Sequence, residues 1–207
     1  MPVIDYLAST LARRDEAPNI ALAERLTAQN DAAAIAELCT LLRHKSKDIQ
    51  SDAVKVLYEI GERKPGLIAP HAGVFLDLLE SKNNRLVWGA MTALDTIAAV
   101  APGAVHAQLP AILKAAGRGS VIAKDHAVGI LIKLAGAPQY ADDVQTLLLD
   151  MMRDCATNQL PMYAENARPV ISGAFKAAFA GLLAERLDEI EKESKRKRVE
   201  KVLKRLK

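Results

Sequence analysis

Four histidines, two cysteines and a few acidic pairs are the residues that would carry chemistry in this chain, and their spacing argues against it. His44, His71, His106 and His126 have no second His or Cys three or four residues away, the spacing that sets two zinc ligands on one helix face. His71 and His106 fall near the starts of successive helical segments and read as loop or cap residues. Asp142-Asp143 precedes an apolar helix, where two acids complement the helix dipole, a better reading than a general acid/base pair. Cys155 follows Asp154 with no local Cys-His motif, so a buried or idle thiol is expected in place of a nucleophile. Gly117-Arg118-Gly119 is too short for a phosphate loop, and no strand precedes it. The expectation is therefore a non-enzymatic protein with no catalytic residue, no metal site, no cofactor and no small-molecule substrate.

What the sequence does contain is a repeat. Ala53-Val-Lys-Val-Leu57, Ala90-Met-Thr-Ala-Leu94 and Ala127-Val-Gly-Ile-Leu131 are spaced 37 residues apart, and the column continues as Ile60, Ile97 and Leu134. A second column at the same period runs Leu38, Phe75, Ile112 and Leu149, and Pro65-Gly66 returns as Pro102-Gly103. Such self-similarity marks stacked supersecondary units. Each unit reads as two helices. Helix A carries Phe75 and its equivalents. Helix B carries Leu86, Val87, Ala90, Met91, Leu94, Ile97 and Ala98, recurring at three and four as on a helix face. Asp48, Asn84 and Ser120 stand where helix B begins and are its expected N-caps. Pro65 and Pro102 separate the units, since a helix cannot run through them. Ala53, Ala90 and Ala127 let neighbouring helices approach closely.

Composition agrees. Half the residues are hydrophobic but only 4% are aromatic, an Ala/Leu/Ile bias that favours packed helices over a β-sandwich. No apolar run reaches the roughly 18–20 residues of a membrane span, so no membrane partner is expected. The start, Met1-Pro2-Val3-Ile4-Asp5, lacks a basic segment followed by an apolar one, so a secretory signal is not expected. Cys39 and Cys155 read as reduced thiols of a cytoplasmic protein, with a single disulfide as the other option.

On these columns the chain resembles the HEAT-repeat family over roughly residues 18–190. The likeness is closest to small single-domain prokaryotic members, for stretches such as Glu59-Ile-Gly-Glu-Arg-Lys-Pro65 and Asn83-Asn-Arg-Leu-Val-Trp-Gly-Ala90. Its period lies slightly below the family's usual ~40–47 residues, and the Trp-Leu-Gly-Tyr pattern of tetratricopeptides and the Thr-Pro-Leu-His of ankyrins are absent. The resemblance implies an all-α, right-handed α–α superhelix, a HEAT-like solenoid of about five helix pairs, serving as a scaffold for macromolecules. A single domain over 1–207 is expected: an N-terminal cap at 1–30, repeats of period 37 over 31–171, and a terminal helix pair with a basic end at 172–207. The cap reads as two short helical patterns, Ile4–Arg13 and Ile20–Thr27. Pro169 should end the fourth helix B early. The terminal pair reads as a long helix from Ala174 to Ile190, then a last one capped by Ser194.

Two features point outward. Trp88 lies about 130° from the centre of helix B's apolar stripe on a wheel of about 100° per residue. Arg85, Thr92 and Asp95 share its side, and Asp52, Lys55 and Asp125 extend the ladder into adjacent units. In a HEAT stack the B helices line the concave surface, so these seven residues form the expected partner-binding face. Trp88 either anchors a partner or covers a groove between B helices. The second feature is charge. Residues 192–207 carry nine Lys/Arg against Glu193 and Glu200, while residues 1–191 are net acidic. Lys195-Arg-Lys-Arg198 reads as a solvated cap or as an electrostatic contact with nucleic acid or an acidic protein. The leading expectation is a scaffold holding a protein partner on the B-helix surface. The alternative is nucleic-acid binding through the basic C-terminus, related in architecture to the alkylpurine DNA glycosylases that resemble HEAT stacks. Those enzymes have strongly basic clefts with several aromatics and a carboxylate. An acidic body with one Trp departs from that pattern, so no catalytic residue is carried over.

Overall fold

The computed structural model describes residues 2–206, and among them every regular element is helical. A 3-10 turn at Val3–Tyr6 leads into α1 (Ala17–Gln29). Four A/B pairs follow: α2 (Ala32–Leu41) with α3 (Lys47–Arg63), α4 (Ala72–Leu78) with α5 (Asn84–Ile97), α7 (Leu109–Arg118) with α8 (Val121–Ala135), and α9 (Ala141–Asp154) with α10 (Leu160–Ala167). A short α6 (Pro102–His106) precedes α7, and α11 (Gly173–Glu185) and α12 (Glu193–Lys204) form the last pair. The chain divides into two compact units, Met1–Ala127 and Val128–Lys207.

The repeat columns are the core. Leu57, Leu94, Leu131, Ile60, Ile97, Leu134, Leu38, Phe75 and Ile112 are all 0% exposed, as are Ala53, Ala90 and Ala127. Burying a side chain of this size is worth about 1.5–3 kcal/mol, so the period read in the sequence is the period of the hydrophobic driving force. Small residues set the spacing of the B helices. A Cβ on Gly89 would meet Val54, and one on Gly61 would meet Thr96 and Ile68. Hence α5 lies on α3 with backbone close to side chain.

The structure corrects several boundaries. The helix B caps lie one or two residues earlier than expected: Ser46 Oγ accepts from Ile49 N and Asn83 Oδ1 from Arg85 N. This leaves Asp48 in the first turn of α3, where its charge complements the helix N-terminus. Ser120 does precede α8, but its buried Oγ finds no partner among the described residues. Ile4–Arg13 is not a helix beyond one 3-10 turn. Ala12, at φ 55°, turns the chain back, and Arg13 N donates to Ala8 O. A short helical piece stands before helix A in two units, as Pro65–Leu67 and Ala69–His71, and again as α6, because the prolines supply ready-made first-turn residues. Pro169 ends α10 at Ala167, as anticipated. The long terminal helix stops at Glu185, not Ile190, and breaks into a 3-10 turn at Leu187–Glu189. Ser194 lies inside α12, whose N-cap is Lys192.

In the second unit α12 packs against α10 and α11, burying Val199 and Val202. The basic end is therefore a docked helix.

Candidate functional site

In the first unit, α3 and α5 lie side by side, and the N-terminal segment crosses beside them to enclose a groove of about 570 Å³. Five of the seven residues singled out in the sequence stand in its wall: Asp52, Lys55, Arg85, Trp88 and Thr92. Asp95 and Asp125 do not. Trp88 is half-buried, and Arg85 keeps two thirds of its side chain in solvent.

Asp52 and Lys55 are spent inside the molecule. The Asp52 carboxylate accepts from Ser9 N and from Asn19 Nδ2, both at 2.7 Å, while Asn19 Oδ1 accepts from Ala8 N at 3.0 Å. The N-terminal segment is thereby strapped to the start of the repeat. Lys55, only 13% exposed, pairs with Glu16 at 3.0 Å and Glu59 at 2.8 Å, and its ammonium lies 4.8 Å from the centre of the Tyr58 ring. Burial alone would lower the Lys55 pKa, but Glu59, Tyr58 and Glu16 outweigh it and hold it above its ordinary value. Burial would likewise raise Glu59, yet Lys55 and Arg63 hold its carboxyl below the usual range. Arg63 also reaches Glu24 at 3.2 Å, so the network ties α1 to α3.

The sequence reading missed His126. Its Nε2 lies 3.0 Å from Thr92 Oγ1 and its Nδ1 2.9 Å from Asp95 Oδ2, joining α5 to the second turn of α8. Threonine, imidazole and carboxylate stand here in the order of a nucleophilic triad. The Thr92 hydroxyl, however, donates back to Trp88 O at 2.9 Å, a helix-internal bond that turns its proton away from the imidazole. The trio is a strut between successive B helices, fixing the carbonyl side of Trp88. Asp52, Gly89 and His126 share one column of the 37-residue period, and Asp52 and His126 each bond to an earlier helix, α1 and α5, which no local pattern in the sequence discloses.

Among the described residues, no group of three or more His, Cys, Asp or Glu side chains is placed to hold a metal ion, and no helix is long and apolar enough to cross a membrane. Both cysteines are free thiols. Burial pushes Cys39 up to about 11, and it also raises Cys155 despite the Arg186 guanidinium at 3.5 Å. Both shifts disfavour the thiolate, the form that attacks.

In the second unit each of the four consecutive basic residues has a partner. Lys195 Nζ donates to Asn158 O and Oδ1, Arg196 reaches Asp188 and Leu187 O, Lys197 pairs with Glu193, and Arg198 makes a two-pronged bond to Glu165. The bonds of Lys195, Arg196 and Arg198 staple α12 onto the rest of that unit, while the Lys197–Glu193 pair lies within the helix.

No family model matches the chain, and no curated protein does. Solved structures do. A designed armadillo repeat protein in complex with the peptide (KR)4 is similar at a TM-score of 0.69 and 16% identity, covering 100% of this chain and 99% of that one. A computationally designed armadillo repeat protein for modular peptide recognition aligns at 0.66 and 17% identity, over 97% of both chains. The fold is a helical-repeat solenoid. An engineered protein solved as a structural-genomics target gives 0.64 at 18% identity, over 100% of this chain and 99% of that one. At these identities the likeness concerns the fold alone.

Proposed function

We propose that this chain is a non-enzymatic scaffold that holds a segment of a partner protein in the groove beside α3 and α5, with Arg85, Trp88 and Thr92 as its contact residues. The observation that carries this reading is Trp88: a half-buried indole in the wall of an open groove, beside a guanidinium left mostly in solvent. Aromatic and arginine side chains in such settings dominate binding energy at protein interfaces. The similarity to designed armadillo proteins, two of them described by the peptides they recognise or bind, supports a peptide-gripping use of this fold. Asp52 and Lys55 serve by holding the groove's shape, and Asp95 by orienting His126.

The repeat itself we place with the HEAT type, on its two principal helices per unit; the short segments before α4 and α7 are a feature in the direction of the three-helix armadillo unit. Two free thiols suit a reducing, cytoplasmic setting. The nucleic-acid alternative loses ground because Arg196, Lys197 and Arg198 each pair with a carboxylate and Lys195 with Asn158, partners with which a phosphate would have to compete.

The test is comparative co-purification. Trp88→Ala with Arg85→Glu should abolish recovery of partner at unchanged helicity, whereas replacing the four basic residues 195–198 by glutamine should leave recovery intact. The reverse pattern, with nuclease-sensitive recovery, would replace this reading by the nucleic-acid one.

A further inference from the structure

Building on the reading of the groove as a peptide site, we infer that its occupant is an acidic segment carrying apolar side chains, received by Arg14 and Arg85, which line the groove together with Trp88. Most polar groups in the groove are already bonded within the protein. Its carboxylates are nearly all committed: Asp52 to Ser9 N and Asn19, Glu16 to Lys55, and Asp15 to Arg13 at 2.8 Å. Asp48 is the exception, and the first turn of α3 offsets its charge. Apart from Asp48 and the buried Ser9 hydroxyl, the unspent groups are donors. Arg14 lines the groove, is exposed and pairs with no acid among the described residues. Arg85 has only a long contact with Glu16, at 3.9 Å, and remains 66% exposed. The indole N–H of Trp88 donates to no acceptor among the described residues.

A ligand that completes this surface must bring acceptors, and carboxylates meet guanidinium forks with two parallel bonds. The apolar requirement comes from Trp88 together with Ile122, which lines the same groove at 45% exposure. The designed armadillo protein described in complex with (KR)4 holds a basic peptide; the unspent charge here has the opposite sign to the one such a peptide needs.

Trp88 is the single tryptophan of the chain, so its emission reports on this groove. The experiment titrates the full-length protein with two defined octapeptides, one alternating Glu and Leu and one alternating Lys and Leu, and with a single-stranded oligonucleotide of eight phosphates. The Glu-Leu peptide should shift Trp88 emission, and its affinity should drop at least tenfold in the Arg14→Glu, Arg85→Glu double variant, whose two sites are exposed and leave the core untouched. Preferential binding of the Lys-Leu peptide would overturn the acidic assignment while leaving the groove a peptide site. An emission change with the oligonucleotide alone would overturn both, and so would silence with all three probes. Equal loss of affinity for both peptides in the double variant would also refute charge recognition.

Discussion

Asn19 donates to Asp52 across 2.7 Å, and this bond decides what the groove can use and what it cannot. Asn19 is 1% exposed, so its amide has no recourse to water. Asp52, which sequence patterning assigns to the partner-binding face, is instead the fastener that holds the N-terminal segment in place through Asn19 and Ser9.

Asp52→Ala should therefore act on stability. It strands the buried Asn19 amide and the Ser9 N–H, at about 1–3 kcal/mol for a buried donor left unsatisfied. Chemical denaturation should give a lower midpoint, and hydrogen exchange should accelerate over residues 7–16 before anywhere else in the first unit. A variant with wild-type stability and protection would contradict the fastening role.

Gly89→Ala sets two effects against each other. In an open helix interior, alanine is favoured over glycine by about 0.8–1 kcal/mol. Here the new methyl would run into the Val54 side chain, and overpacking of that kind costs about 1–3 kcal/mol. We expect net destabilisation in the wild-type background, and little or no cost of the same change in a Val54→Ala background, where the methyl has room. The double-mutant cycle checks it: a coupling energy near zero would show that α3 and α5 do not meet there.

Acid should weaken the α1–α3 network through Glu59. Its folded pKa is depressed, so its contribution is fully present above the ordinary glutamate value of about 4.3 and is lost as pH falls through the folded pKa. Glu59→Gln should lower the melting temperature at neutral pH, and the gap to wild type should close progressively below about pH 4. A gap that stays constant from pH 7 to pH 3 would mean that the carboxylate's charge is not what Lys55 and Arg63 respond to.

The repeat was readable because burial and period are the same signal: the residues at intervals of 37 are those with no exposed surface, such as Leu57, Leu94 and Leu131. Five of the seven outward-facing residues also fall together in the groove, since a helical wheel locates a face correctly even when it says nothing of partners. What it could not reveal is which polar groups are already bonded. Asp52 meets Ser9 across 43 residues and Thr92 meets His126 across 34, and neither distance leaves a local pattern. Cap positions slipped by one or two residues because Ser46 and Asp48, or Asn83 and Asn84, are equally good N-cap types and only backbone geometry chooses between them.

A partner protein held in the groove beside Trp88 would be within reach of a photo-crosslinker placed in the groove wall. A benzophenone side chain placed at Ser51, in the groove wall, is irradiated in intact cells and compared with one at Lys114, an exposed site outside the groove. One discrete protein adduct is expected at 51 and not at 114, lost when Trp88→Ala and Arg85→Glu are introduced, with the adducted peptide rich in Asp or Glu. Adducts of equal yield at both positions, or an adduct at 51 indifferent to Trp88 and Arg85, would contradict it.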